Sequence, residues 1–154
     1  MDDHSPAKDH DWLEMAVDLA GRCPPSPTAF SVGAVIVVPA ARVMTRGFSR
    51  ENDPHEHAEE SALDKLPAGL DLSGATLYSS LEPCSKRASR PRTCTQLIIE
   101  AGIPRVVFAW REPPLFVDCD GTALLRHAGV EVIELPDLAA RAREPNAHLL
   151  GPSA

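Results

Sequence analysis

Five short runs of β-branched and apolar residues, most of them separated by stretches with helical spacing, constrain this chain more than any other feature. The runs are FSVGAVIVV (30–38), VMTRGF (43–48), ATLYSS (75–80), RVVFAW (105–110) and VEVIEL (130–135). The first is almost wholly apolar, as expected of a strand covered on both faces. Residues 9–21 put Trp12, Ala16, Leu19 and Ala20 on one helical face, closed by Gly21. A second helix is expected over 57–66, with Ala58, Ala62, Leu63 and Leu66 inward. Others are expected over 94–101, ended by Gly102, over 121–128, and around 137–143. The turn PAAR joins the first two strands as a hairpin. Strands that alternate with helices call for right-handed crossovers, so the last three strands should be parallel. The expected fold is α/β: three layers, α/β/α, around a mixed five-stranded sheet.

One domain accounts for all 154 residues, with a core at about 9–135 and a C-terminal tail at 136–154. No run approaches the roughly 18 apolar residues of a membrane span, and the polar start MDDHSPAKDH does not resemble a leader. A cytoplasmic location follows as an expectation. In that setting the four cysteines stay reduced, which favours metal binding or catalysis over disulfides. Acids outnumber bases 22 to 15, for a formal charge of −7, which argues against a nucleic-acid partner. There is one local exception. Lys86, Arg87, Arg90 and Arg92 lie between Pro83 and Ile99, a stretch without any acid.

The chemistry-bearing residues fall at related places on this map. His57 and Glu59 open the helix after the second strand, Cys84 follows Pro83 just beyond the third strand, and Cys94 opens the next helix. Each pair alone is weak evidence, since a histidine and a glutamate at a helix start commonly serve as cap or solvated face. Together they are specific. One imidazole and two thiolates make a three-ligand catalytic zinc site with its fourth tetrahedral position left for water. Helix N-termini suit thiolates, because their unpaired N–H groups favour anions. Glu59, two residues from His57, can reach that water without being a ligand and can serve as general base and then general acid. The pattern H-x-E…P-C is the signature of zinc deaminases. Cys23 and Cys119 lie outside it and are expected to be unligated.

These residues resemble the cytidine deaminase superfamily of zinc-dependent nucleobase deaminases, over about residues 10 to 135. Within it, the chain is most similar to the pyrimidine deaminases of riboflavin biosynthesis. The matching stretches are VGAVIV (32–37), HAEESAL (57–63), SLEPCS (80–85), AGIPRVVFAWREP (101–113) and LLRHAGVEV (124–132). The resemblance implies a cytidine-deaminase-like fold and one Zn²⁺ per chain on His57, Cys84 and Cys94. It makes Glu59 the proton shuttle, puts the backbone N–H of Ala58 against the substrate ring, and implies a homodimer or homotetramer. The substrate would be a diaminopyrimidinone carrying a ribosyl phosphate.

Three departures keep other substrates open. TAFSVG stands where the riboflavin group has a Pro-Asn-Pro-type turn. Phe30 is similar to the base-contacting phenylalanine of free cytidine deaminases, which have cysteine in place of His57; it is equally a core aromatic. Nine residues separate Cys84 from Cys94, and their basic side chains Arg87, Arg90 or Arg92 could hold a substrate phosphate or form a solvated loop. Third, the bacterial riboflavin enzymes are commonly fused to a reductase domain. Alternative readings are a cytidine- or deoxycytidylate-type or specialised-metabolite deaminase, a tRNA adenosine deaminase, and a non-catalytic zinc-binding domain.

Overall fold

The computed structural model describes residues 6–85, 92–111, 113 and 120–150. Helix α1 (Pro6–Ala20) leads to the hairpin β1 (Gly33–Val38) and β2 (Val43–Phe48), followed by α2 (Ala58–Asp64), β3 (Thr76–Leu81) and α3 (Cys94–Ala101). Then come β4 (Arg105–Trp110), α4 (Gly121–His127), β5 (Glu131–Glu134), α5 (Ala139–Arg143) and α6 (Ala147–Leu150). The sheet has five strands in the order β2-β1-β3-β4-β5. Strand β1 is antiparallel to both β2 and β3, while β3, β4 and β5 are parallel. The sheet is mixed and the fold is α/β, as the alternation of strands and helices requires.

Two close approaches set the layers. A Cβ on Gly33 would meet the carbonyl oxygen of Ala16 at 1.9 Å, so α1 lies directly on β1. A Cβ on Gly47 would meet the carbonyl of Ala58 at 2.5 Å and the amide of Ala62 at 2.6 Å. Gly47 pairs with Ala34, the neighbour of Gly33, and successive strand residues face opposite sides. Helices α1 and α2 therefore cover opposite faces. With both faces covered, β1, β3 and β4 are buried along their whole length.

Helical spacing mis-assigned one detail of α1. Leu13 is fully buried and belongs to its core face with Ala16, Leu19 and Ala20, whereas Trp12 is only partly covered at the edge. In α2, Ala58 and Ala62 are fully buried; Leu63 and Leu66 pack partly covered at the rim. Strand β1 starts at Gly33 rather than Phe30. The residues before it are held by side chains: Ser31 N–H donates to Asn146 Oδ1 at 2.6 Å, and Val32 N–H to Ser49 Oγ at 2.9 Å. Among the described residues no helix is long and apolar enough to cross a membrane.

Candidate metal centre

Three segments converge past the C-terminal end of β3. His57 is the extended residue immediately before α2, and its N–H donates to Glu60 Oε1 at 2.9 Å, a capping-box contact that fixes the helix start. Cys84 lies in the turn after β3. Cys94 is the first residue of α3, which Thr93 caps by accepting from the Gln96 N–H at 3.2 Å. The His57 Nδ1, Cys84 Sγ and Cys94 Sγ atoms all lie within 4.8 Å of one another. Nδ1 is 3.2 Å from the Cys94 sulfur and 3.6 Å from the Cys84 sulfur. Tetrahedral zinc with ordinary Zn–N and Zn–S bonds puts such a nitrogen and sulfur about 3.6 Å apart, so the donor set fits that ion in chemistry and spacing.

The Cys84 sulfur is prepared for the anionic form. Cys94 N–H, in the first turn of α3, donates to Cys84 Sγ at 3.3 Å. The Cys84 thiol is held well below its ordinary range, first by the hydrogen bond it shares with Cys94 and then by His57, against the opposing effect of burial. Both cysteines are buried.

Glu59, two residues beyond His57, is only 4% exposed. Burial is the main cause that raises its pKa; the His57 ring opposes this and the Cys84 charge adds to it. A buried carboxyl with a raised pKa beside three candidate metal ligands can hold or hand over a proton.

The remaining residues expected at the site take varied places. Ala58 opens α2, fully buried, with its carbonyl against Gly47. Phe30 is buried and packs edge-on to Trp110 at the end of β4, ring centroids 5.6 Å apart. Arg92 is exposed and pairs with Glu100 at 3.1 Å. Arg87, Arg90 and Cys119 lie outside the described residues. Cys23 is apart from the cluster, with its thiol donating to the Val32 carbonyl at 3.4 Å.

Two supports were missed by sequence reasoning. Arg50 has a left-handed φ of 61°. Its guanidinium donates to the carbonyls of Pro24 and Phe30 and to Ser31 Oγ, while its N–H donates to the Glu56 carbonyl at 2.8 Å. It thus links the segment carrying Phe30 to the loop that delivers His57. Asn146, fully buried, grips Ser31 through both its N–H and its carbonyl. A lone arginine in a loop and an asparagine near the C-terminus carry no motif that would have marked them.

Residues 6–110 match the family of the cytidine and deoxycytidylate deaminase zinc-binding region. A diaminohydroxyphosphoribosylamino-pyrimidine deaminase of Schizosaccharomyces pombe is 42% identical over 132 residues, which are 84% of this chain and 32% of that protein. The chain spans about a third of the length of the curated relatives it matches. Of solved structures, the bifunctional diaminohydroxyphosphoribosylaminopyrimidine deaminase and uracil reductase of Thermotoga maritima superposes with a TM-score of 0.72 at 36% identity, over 89% of this chain and 38% of that one. The Aspergillus oryzae Rib2 deaminase in complex with DARIPP gives 0.71 at 26% identity, over 92% of this chain and 97% of that one.

Proposed function

Since the chain belongs to the cytidine and deoxycytidylate deaminase family with its zinc-binding region, we propose that it is a zinc-dependent hydrolytic deaminase of a small pyrimidine nucleoside or nucleotide. The diaminopyrimidine of riboflavin biosynthesis is the favoured substrate, supported by the names of its relatives and by the DARIPP bound to the Aspergillus oryzae enzyme. The observation that carries the catalytic reading is Glu59, a buried carboxyl set beside the His57, Cys84 and Cys94 cluster.

In this reading His57 Nδ1, Cys84 Sγ and Cys94 Sγ hold the ion. Zinc, when bound, supplies Lewis acidity and brings the pKa of a coordinated water near 7. The chain's own residues then manage protons and orientation. Glu59 takes a proton from the water as its oxygen bonds to the ring carbon that bears the exocyclic amine. It gives that proton to the adjacent ring nitrogen, then carries the remaining hydroxyl proton to the amine, so that the C–N bond breaks, ammonia leaves and a carbonyl remains. The raised pKa suits this double duty, because burial makes the protonated form of Glu59 easier to reach than in an exposed carboxyl. The Ala58 backbone N–H contacts the ring, and Phe30 helps bound the base. Arg87, Arg90 and Arg92 are proposed to receive the phosphate, Arg92 by exchanging its Glu100 partner for it.

The proposal treats residues 1–154 as one deaminase domain acting in the cytoplasm, where both thiols stay reduced, as a homodimer or homotetramer. The test is ammonia release by zinc-loaded protein, with Glu59→Ala as the blank. The panel holds the riboflavin-pathway diaminopyrimidine nucleotide, its dephosphorylated form, cytidine, deoxycytidine monophosphate, cytosine, adenine and guanine. Turnover of the diaminopyrimidine, faster with the phosphate than without, is expected. Turnover of cytidine or deoxycytidine monophosphate alone would replace the substrate assignment.

A further inference from the structure

Glu82 has no part in the chemistry above, yet it is a carboxyl only 4% exposed, two residues before Cys84. Its Oε2 accepts from the Thr122 N–H at 3.0 Å and from the Thr122 hydroxyl at 2.5 Å. The next residue, Pro83, brings its carbonyl so close to Gly121 that a Cβ there would meet the oxygen at 2.0 Å. Beyond Cys84, Ser85 Oγ accepts from the Asp120 N–H at 2.7 Å. Residues 82, 83 and 85 thus run against 122, 121 and 120, and Cys84 sits inside that brace. On its other sides the turn is tied to β4 by Glu82 N–H on the Trp110 carbonyl at 2.8 Å, and to α3 by Thr95 N–H on the Cys84 carbonyl at 3.1 Å.

We propose that Glu82 is a positioning residue for the metal centre: through Thr122 it docks the start of α4 against the Glu82–Ser85 turn and thereby sets where the Cys84 sulfur lies. The proposal rests on reading His57, Cys84 and Cys94 as the zinc ligands. A ligand on a turn has no helix or strand to fix it, and a metal site works only when its donors are held to within about 0.5 Å. On one side the turn meets α4, and the contacts described above are made by the residues that flank Cys84. Gly121 permits the approach, and Glu82 gives it a direction by accepting both donors of one residue. Its carboxylate charge is matched to that task, because a charged acceptor makes shorter and stronger hydrogen bonds than a neutral one.

The test compares Thr122→Val, which removes the hydroxyl at constant volume, Glu82→Gln, which removes the charge at constant shape, and Thr122→Ser, which restores the hydroxyl. Zinc affinity would be measured by chelator competition on the folded protein, and ligand geometry by the visible absorption of the cobalt-substituted form. Thr122→Val and Glu82→Gln are expected to weaken zinc binding about 10–100-fold and to alter the cobalt spectrum. Thr122→Ser should bind zinc like wild type. Wild-type affinity and spectrum in both Thr122→Val and Glu82→Gln, whatever happens to the melting temperature, would overturn the proposal and leave Glu82 a stability residue. Cys84→Ser separates the two levels of the argument. If it binds zinc and cobalt as wild type does, the ligand assignment itself has failed.

Discussion

Strands β3 and β4 carry a buried polar cluster toward each of their ends, and the two are built on opposite principles. At the start of β4, Arg105 is 5% exposed and meets Asp9 of α1 with two parallel hydrogen bonds, 2.8 and 2.5 Å long. Tyr78 donates to the same carboxylate at 2.8 Å, and Glu131 of β5 takes the Arg105 Nε–H at 2.9 Å. Opposite charges lie within one network, so the cluster is electrostatically closed. Beyond the C-terminal end of β3, the donors of His57, Cys84 and Cys94 face one another instead, with a carboxyl beside them. Two sulfurs and an imidazole nitrogen converge there with a carboxyl at their side, a donor set of the kind that suits a metal ion. A closed network holds layers together; a set of converging donors of this kind could hold a metal ion. Burial alone does not distinguish the two, but the sign and direction of the partners do.

That contrast can be broken at either end. The largest effect should come from Cys94→Ser, which removes a proposed ligand and the residue that begins α3. Metal analysis should find zinc lost and assay should find turnover lost with it; full zinc occupancy would show that the third ligand is another group. Next, Glu59→Ala should retain zinc and slow turnover about 10²–10⁴-fold, the usual range for a positioned acid–base group. Near-wild-type activity in that variant would remove Glu59 from the mechanism.

At the closed end, Asp9→Ala leaves Arg105 buried without its main partner. Denaturant unfolding should register a loss of about 3–5 kcal/mol, while zinc content per folded molecule stays unchanged. A change in zinc content would mean that the two ends are coupled. The smallest effect belongs to Tyr78→Phe, about 1 kcal/mol for one hydrogen bond. The Tyr78 hydroxyl is pushed well above its usual pKa, first by burial and then by Asp9. A group raised in this way contributes stability that is complete below its unfolded value of about 10 and is lost as pH climbs through the folded one. Tyr78→Phe should therefore lose less stability than wild type between those two values. Tyr78 is the chain's one tyrosine, so ultraviolet titration reads it directly. Phenolate should appear near pH 10 in denaturant and at higher pH in the folded protein. Equal midpoints would mean that the Asp9 contact is not kept in solution.

What the sequence determined is what neighbouring residues encode. The bounds of β2, α3 and β4 coincide with the runs read from apolar pattern and from the glycine that ends α3, because strand and helix periodicities are local. The convergence of His57, Cys84 and Cys94 was also legible, since each stands at the end of a strand or the start of a helix and the order of elements places those ends together. Only the tertiary structure decided which polar residues turn inward. Asp9 meets partners 69 and 96 residues away, and Glu82 meets Thr122 across 40. A charged side chain is exposed by default, and nothing in its own surroundings along the chain announces the distant donor that makes its burial tolerable. The same reasoning applies to Leu13 taking the place expected of Trp12, and to Asn146 closing on Ser31. Periodicity names a face, but the shape of the opposing layer selects the residue that fills it.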